Sequence, residues 1–336
     1  MLQQFATFLA SYDRQFAKHA DGAVAQHTED FEAVASQRIL ADLQTRPGLV
    51  GLPQAEPLES LHERLAQWVL DASPEQKILA DLAIPVPPPE VHFVAGLLPV
   101  FYDFKNTDIV LDELQKAGVT IAGRLLDFGC SSGRNLAVLK RAYPGELVLS
   151  GADPAGPSIA WLTANLPGIA AVTSQQMPPL PYADASFDII IAKSIWTHFS
   201  PAAGRAWFGE MQRILAPGGH FLFSTHGPHD IASRIVYDNP RPRYERFAGH
   251  ENWTRDGFLL DLIAKLDSTE HYFQPYKAVG HQGDLKLVDN ATTGDWGLMF
   301  MTEDYLRRML PDGLSIIKRS IGRTGNRHDV YVVRRS

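Results

Sequence analysis

Residues 125–136 read LLDFGCSSGRNL. An apolar start, a run of small residues and a basic–amide–apolar continuation describe a short buried strand, a tight turn and the first turn of a helix. Asp127, Gly129, Ser131 and Gly133 make a D-x-G-x-S-x-G pattern across that turn. Small residues let the backbone reverse sharply and let a ligand lie against it. The carboxylate of Asp127 at the strand end would repel a pyrophosphate and suits a ligand with a positive amine. Cys130, the single cysteine of the chain, reads as a small packing residue, because a nucleophilic thiol needs a base facing it.

Outward from this turn the texture alternates. RLLDF is a strand and GRNLAVLKRAY a helix; ELVLSGAD and GPSIAWLTANL repeat the pair. AAVTS and FDIIIAKS are strands three and four. AAGRAWFGEMQRIL is a helix with Trp207, Met211 and Leu215 on one face, closed by APGG, and HFLFSTHG is strand five. After a break, TEDYLRRML reads as a helix, LSIIKRSI as a strand, GRTGNRH as a turn and DVYVVRR as a closing strand. The rhythm predicts an α/β fold, with a doubly wound, seven-stranded, mostly parallel Rossmann-like sheet. Ligands of such sheets bind at the carboxyl ends of the strands, where strand order reverses. Asp153 ends strand two, about 20 residues beyond the glycines, where a carboxylate can accept both hydroxyls of a ribose.

Around this core lie two other textures. Residues 1–83 are polar and helical in pattern, with Leu58, Leu61, Leu65 and Trp68 forming one apolar stripe. The stripe fits packing on the main domain or a homodimer through these N-terminal helices. IPVPPPE at 84–90 cannot be helix interior and marks a linker, so the main domain is expected over 106–336. Residues 228–295 interrupt the rhythm after strand five with aromatics, histidines, prolines and one evident helix, GFLLDLIAKL. An insertion of that length is expected to serve function.

Composition narrows the classes. In 336 residues, 45% are hydrophobic and 21% charged, and the formal net charge is −7. Nucleic-acid binding is not expected, because phosphate contacts need clustered Lys and Arg. The locally basic run from Lys318 to Arg335 reads as a solvated strand face or an attraction for an anionic substrate. No apolar run reaches the roughly 18–20 residues of a membrane span, and no secretory signal pattern opens the chain. One cysteine fits a reducing, cytoplasmic setting.

In order and spacing, LLDFGCSSGRNL, GADPAGPSIAW, PPLPYADASFDIIIAKSIWTHF and EMQRILAPGGHFLFSTHG resemble the motifs of class I S-adenosylmethionine-dependent methyltransferases, and look closest to bacterial small-molecule methyltransferases. The resemblance covers roughly 90–227, and DVYVV fits the antiparallel last strand of that fold. It implies S-adenosylmethionine as cofactor, with Asp127, Gly129, Ser131 and Gly133 around its methionine end. It further implies Asp153 at the ribose, Pro154 beside the adenine, and Gln176 and Met177 at the adenine edge and face. Lys193 and Ser194 would close over the methionine moiety, largely through the backbone. Ser131 departs from the usual glycine; serine keeps the turn if its φ is negative, and its hydroxyl can bond the cofactor carboxylate. Related enzymes fold an N-terminal element over the cofactor, so 84–105 is expected as linker and lid, with Tyr102 as a lid contact.

The acceptor side is less determined. An alcohol acceptor must lose a proton, and histidine titrates in the useful range. His226, just after strand five, and His198, after strand four, are candidate bases, and both also fit structural roles. Trp196, Tyr237, Trp253, Tyr272 and Tyr276 offer aromatic surface to a small-molecule acceptor, or packing. His226, His229 and Asp230 are too loosely spaced for a metal site, and no fourth ligand is identifiable. The leading expectation is O-methylation of a sugar or natural product. The alternatives are N- or C-methylation and a non-catalytic cofactor-binding scaffold. A dinucleotide-dependent oxidoreductase is disfavoured by Asp127.

Overall fold

The computed structural model of the chain describes residues 4, 7–8, 31–54, 58–81, 84–88, 90–91, 100–236, 255–276, 294–323 and 328–336. Its main sheet contains β1 (Gly123–Phe128), β2 (Leu147–Asp153), β3 (Ala170–Thr173), β4 (Phe187–Ala192) and β5 (Leu215–Thr225), with β8 (Leu314–Ser320) and β9 (Asp329–Arg335). A separate hairpin pairs β6 (His271–Pro275) with β7 (Gly297–Met301). The seven strands run in the order β3-β2-β1-β4-β5-β9-β8. Strands β1 to β5 pair in parallel, and β9 lies antiparallel to both β5 and β8. This is the expected Rossmann-like sheet with its antiparallel last strand. Chain order reverses between β1 and β4, which places the carboxyl ends of those two strands at the ligand-binding position of the architecture.

One boundary differs from the sequence reading. Helix α7 (Pro201–Ile214) passes directly into β5 at Leu215, and APGG lies within the strand. Phe187 pairs with Leu215 but Ile189 with His220, so the extra residues of β5 bulge out at the glycines.

Ahead of the sheet come α1 (Val34–Gln44), α2 (Leu58–Asp71), α3 (Pro74–Leu79) and α4 (Phe101–Lys116). Helix α4 begins inside the stretch read as linker, so the boundary at 105/106 falls within a helix. Leu61, Leu65 and Trp68 of the apolar stripe are buried. Leu65 and Trp68 join one core with Ile39 and Leu43 of α1, Leu111 of α4, and Leu125 and Ile191 of the sheet. The stripe is therefore spent on the chain's own main domain.

Helix α4 carries four buried acids, Asp103, Asp108, Asp112 and Glu113, each exposed by 3% or less. A buried carboxylate is costly unless paired or hydrogen-bonded. Asp108 accepts from Ala35 N at 2.6 Å, Ser36 N at 3.2 Å, Ser36 Oγ at 2.5 Å and His62 Nε2 at 2.8 Å, which ties α1 and α2 to α4. Asp112 pairs with Arg323, and Glu113 with Arg323 Nε at 2.6 Å and with Lys318. The basic C-terminal run thus reads differently in the structure: Arg319 pairs with Asp329 and Glu303, and Arg335 donates to the Leu215 carbonyl. These cations are used inside the fold instead of forming a solvated face.

Among the described residues the insertion contains α8 (Pro228–Val236), α9 (Arg255–Thr269) and β6, where one helix was evident, and β6 pairs with β7 just beyond its end. They share a small core of Ile231, Leu259, Leu262, Ile263, Leu266, Tyr272 and Phe300. Among the described residues no helix is long and apolar enough to cross a membrane.

Asp108→Ala should destabilise the protein by about 3–5 kcal/mol, the scale for breaking a buried charged pair from one side. Urea unfolding measures the loss, and limited proteolysis should show residues 31–81 cleaved first. A variant as stable and protease-resistant as the parent would mean that Asp108 does not dock the N-terminal helices.

Candidate cofactor and acceptor site

The loop after β1 is shaped by its backbone. Gly129 has φ +84° and its amide donates to Ala152 O at 2.7 Å; a Cβ there would lie 2.1 Å from Ile195 Cδ1. Only glycine meets both conditions. Ser131 also sits in the left-handed region, at φ +49°, so the condition of a negative φ is not met. The reason lies in the second strand: Ser131 N donates to Asp153 Oδ2 at 2.8 Å, and the turn opens into α5 (Arg134–Ala142). The other oxygen of Asp153 accepts from Ala155 N at 2.8 Å, at the entry to α6 (Gly156–Asn165), with half-buried Pro154 between. Burial raises the Asp153 pKa against the pull of those two amides.

Cys130 packs beneath the loop. A Cβ on Gly151 would lie 2.8 Å from its sulfur, and burial with two nearby carboxylates pushes the thiol pKa well up. Such a thiol is not a nucleophile at neutral pH.

Asp127 and Lys193 end adjacent strands under α4. Asn135 Nδ2 of α5 donates to Asp127 Oδ2 at 3.3 Å, and Asn135 Oδ1 lies 3.4 Å from Thr107 Oγ1 on α4. Lys193 Nζ donates to Asn106 Oδ1, also on α4, at 2.8 Å. Arg134, first residue of α5, pairs with Asp103 of α4 through Nε at 2.6 Å. Desolvation lifts Asp127 to a pKa of about 7, opposed by Asn135 and Lys193 and aided by Asp153. Desolvation, then Arg134, brings Lys193 down to about 8. The Lys193 side chain is thus fixed by α4. Ser194 has φ +61°, with its amide donating to Ser224 Oγ at 2.8 Å.

Both candidate bases are oriented by β7. His226 Nδ1 donates to Met299 O at 2.9 Å, and His198 Nδ1 lies 3.0 Å from Gly297 O. Carbonyls only accept, so in neutral His226 the proton is on Nδ1 and the lone pair on Nε2. Tyr276 Oη lies 2.8 Å from His198 Nδ1, so two tautomers compete there. His226 is buried and stacks on Phe300, and His198 stacks on Trp296.

Two of the expected acceptor contacts are packed into cores. Trp196 is fully buried among Phe128, Phe199, Phe208, Phe221 and Phe223, with Nε1 donating to Gly204 O. It is a core residue, because its side chain packs against the helix that follows β4. Tyr272 is buried in the core of the insertion, its hydroxyl donating to Gln274 Oε1 at 3.1 Å. That packing, too, replaces an acceptor contact. Met177 and Tyr102 are exposed, at 38% and 39%, and Gln176 is half-buried with its carbonyl accepting from Trp207 Nε1. Tyr237 and Trp253 lie outside the described residues. Sequence reading missed Asn106, Asn135 and His328; His328 Nδ1 is 3.3 Å from Ser194 Oγ, and its ring meets His226 edge-on at 4.6 Å. Nothing local marks them, since each matters through contacts distant in sequence.

The "Methyltransferase domain" family matches residues 125–219. Among curated proteins, a malonyl-(acyl-carrier protein) O-methyltransferase of Herminiimonas arsenicoxydans is 32% identical over 173 residues, 51% of this chain and 62% of that protein. One from Hahella chejuensis (strain KCTC 2396) is 31% identical over 102 residues, 30% of this chain and 36% of that protein. The chain spans between 36% and 65% of the length of the curated relatives it matches. Among solved structures, a S-adenosylmethionine-dependent methyltransferase from Mesorhizobium loti aligns over 66% of this chain and 95% of its own, at 18% identity and TM-score 0.40. An amino pentose methyltransferase from Micromonospora echinaspora aligns over 69% and 90%, at 15% identity and TM-score 0.41. The strand order and the matched domain define a class I S-adenosylmethionine-dependent methyltransferase fold.

The folded protein holds the Asp127 proton up to about pH 7, while the unfolded chain releases it near 3.8. Rising pH therefore costs the fold stability across that window. Asp127→Asn cannot ionise and should be more stable than the parent above pH 7 by on the order of 2–4 kcal/mol, the gap closing toward about pH 4. Urea unfolding across pH checks this; a pH-independent gap would contradict it.

Proposed function

We propose that this protein transfers a methyl group from S-adenosylmethionine to an oxygen atom of a small-molecule acceptor. The observation that carries the reading is the loop after β1. Asp127 and Asp153 lie at the ends of neighbouring strands, with Gly129 in the turn after the first, where a Cβ would meet Ile195. The loop hydroxyls of Ser131 and Ser132 are buried with no hydrogen-bond partner among the described residues, as expected of groups that await a ligand.

In this reading Asp127 faces the amine of the methionine end, and Gly129, Ser131 and Gly133 line it. Asp153 takes the ribose hydroxyls, Pro154, Gln176 and Met177 border the adenine, and Tyr102 on α4 covers the opening. Bound there, S-adenosylmethionine supplies a methyl group activated on a sulfonium. The chain's contribution is then position, since in-line transfer depends on holding the acceptor at the right angle and distance. For a hydroxyl acceptor, Nε2 of His226 is the proton acceptor, its lone pair set by the Nδ1 bond to Met299 O. The oxygen acceptor is supported by three relatives that are named as O-methyltransferases. Their names also favour a second reading, a carboxylate acceptor, which is already ionised and needs no base.

Titration calorimetry should show S-adenosylmethionine and its demethylated product binding, and Asp153→Ala should weaken both by about 10–100-fold, the scale of one or two charged hydrogen bonds. Absence of binding by the parent protein would remove the cofactor assignment. With an acceptor in hand, His226→Ala should lower turnover by roughly 10²–10⁴ for a hydroxyl acceptor. Near-parental turnover would favour the carboxylate acceptor.

A further inference from the structure

The residue after β4, Lys193, is a cation with no ion-pair partner among the described residues. Asp127 pairs in register with Ile191. Lys193, two residues on, therefore leaves the sheet on the same face as Asp127. That face is the one α4 covers, and it is α4 that holds the ammonium: Lys193 Nζ donates to the neutral amide of Asn106. Asp127 is likewise held by a neutral amide, Asn135, which lies beside Thr107, the next residue of α4. Among the described residues these two unlike charges make no ion pair with each other, although each shifts the other's titration. A half-buried ammonium and a buried carboxyl group kept apart by separate amides form a site that a zwitterion completes, with each charge of the ligand meeting its opposite. Ser132 in the loop between Asp127 and Asn135 supports a ligand here, since the residue is 1% exposed and its hydroxyl has no partner among the described residues.

We propose that the Lys193 ammonium, positioned by Asn106 of α4, binds the α-carboxylate of the cofactor's methionine end. The inference rests on S-adenosylmethionine being the cofactor. It assigns Lys193 the task of selecting the intact amino acid over sulfonium nucleosides that lack the carboxylate. It makes Asn106 a positioning residue, acting through Lys193.

The test compares S-adenosylmethionine with decarboxylated S-adenosylmethionine, which keeps the sulfonium, the nucleoside and the amine. Calorimetry is run on the full chain, its Lys193→Met variant and its Asn106→Ala variant. The parent should prefer the carboxylate-bearing ligand by at least about 10–100-fold, the scale of a charged hydrogen bond. Lys193→Met should lose most of that preference by weakening S-adenosylmethionine alone, with the decarboxylated ligand bound as in the parent. Asn106→Ala should shrink the preference in the same sense, and it keeps the proposal testable if Lys193→Met does not fold. Equal weakening of both ligands, or an unchanged preference in a folded variant, would overturn the role of Lys193 and leave the cofactor assignment standing. A parent that binds neither ligand overturns the cofactor assignment, and this proposal with it.

Discussion

The structure depends on one helix that buries four carboxylates. Asp103, Asp108, Asp112 and Glu113 of α4 leave water together, and among the described residues the helix itself supplies one cation to them, Lys116 beside Asp112 at 3.0 Å. Each also finds a partner from another part of the chain. Asp103 takes Arg134 at the start of α5; Asp108 takes Ser36 and His62 from the N-terminal helices; Asp112 and Glu113 take Arg323 and Lys318 from the region of the last strands. Segments from both ends of the chain meet on one element because its charges require it.

That requirement also shapes the site. The same helix holds Lys193 through Asn106 and approaches Asn135 through Thr107. The carboxyl ends of β1 and β4 are thus roofed by a helix whose position is set by ion pairs further along its length. The β6–β7 hairpin does a matching service on the other side. Alternate carbonyls of β7, at Gly297 and Met299, orient His198 and His226, and its own small core keeps the hairpin in place. Helix and hairpin bracket the strand ends, one on the loop side and one on the histidine side.

Much of this site was legible locally. Asp127, Gly129 and Asp153 stand out because a strand end, a tight turn and a second strand end are properties of short stretches. The misreadings have a common cause. Ser131 takes a positive φ because its amide reaches Asp153, a contact between strands. Trp196 and Tyr272 are ambiguous as residue types, and only their neighbours make them core. The basic run near the C-terminus looked solvated because its acidic partners on α4 lie some 200 positions earlier in the chain, as between Lys318 and Glu113.

By itself, then, the sequence determined the alternating strands and helices, the parallel sheet that their order yields, and the loop that marks its ligand end. Periodicity and turn chemistry are short-range, so a single chain read in order carries them. The tertiary structure decided which charges are neutralised and by what, which nitrogen of His226 bears the proton, and that Lys193 faces an amide instead of an acid. Those outcomes depend on burial and on partners far apart in sequence, and both exist only once the chain has folded.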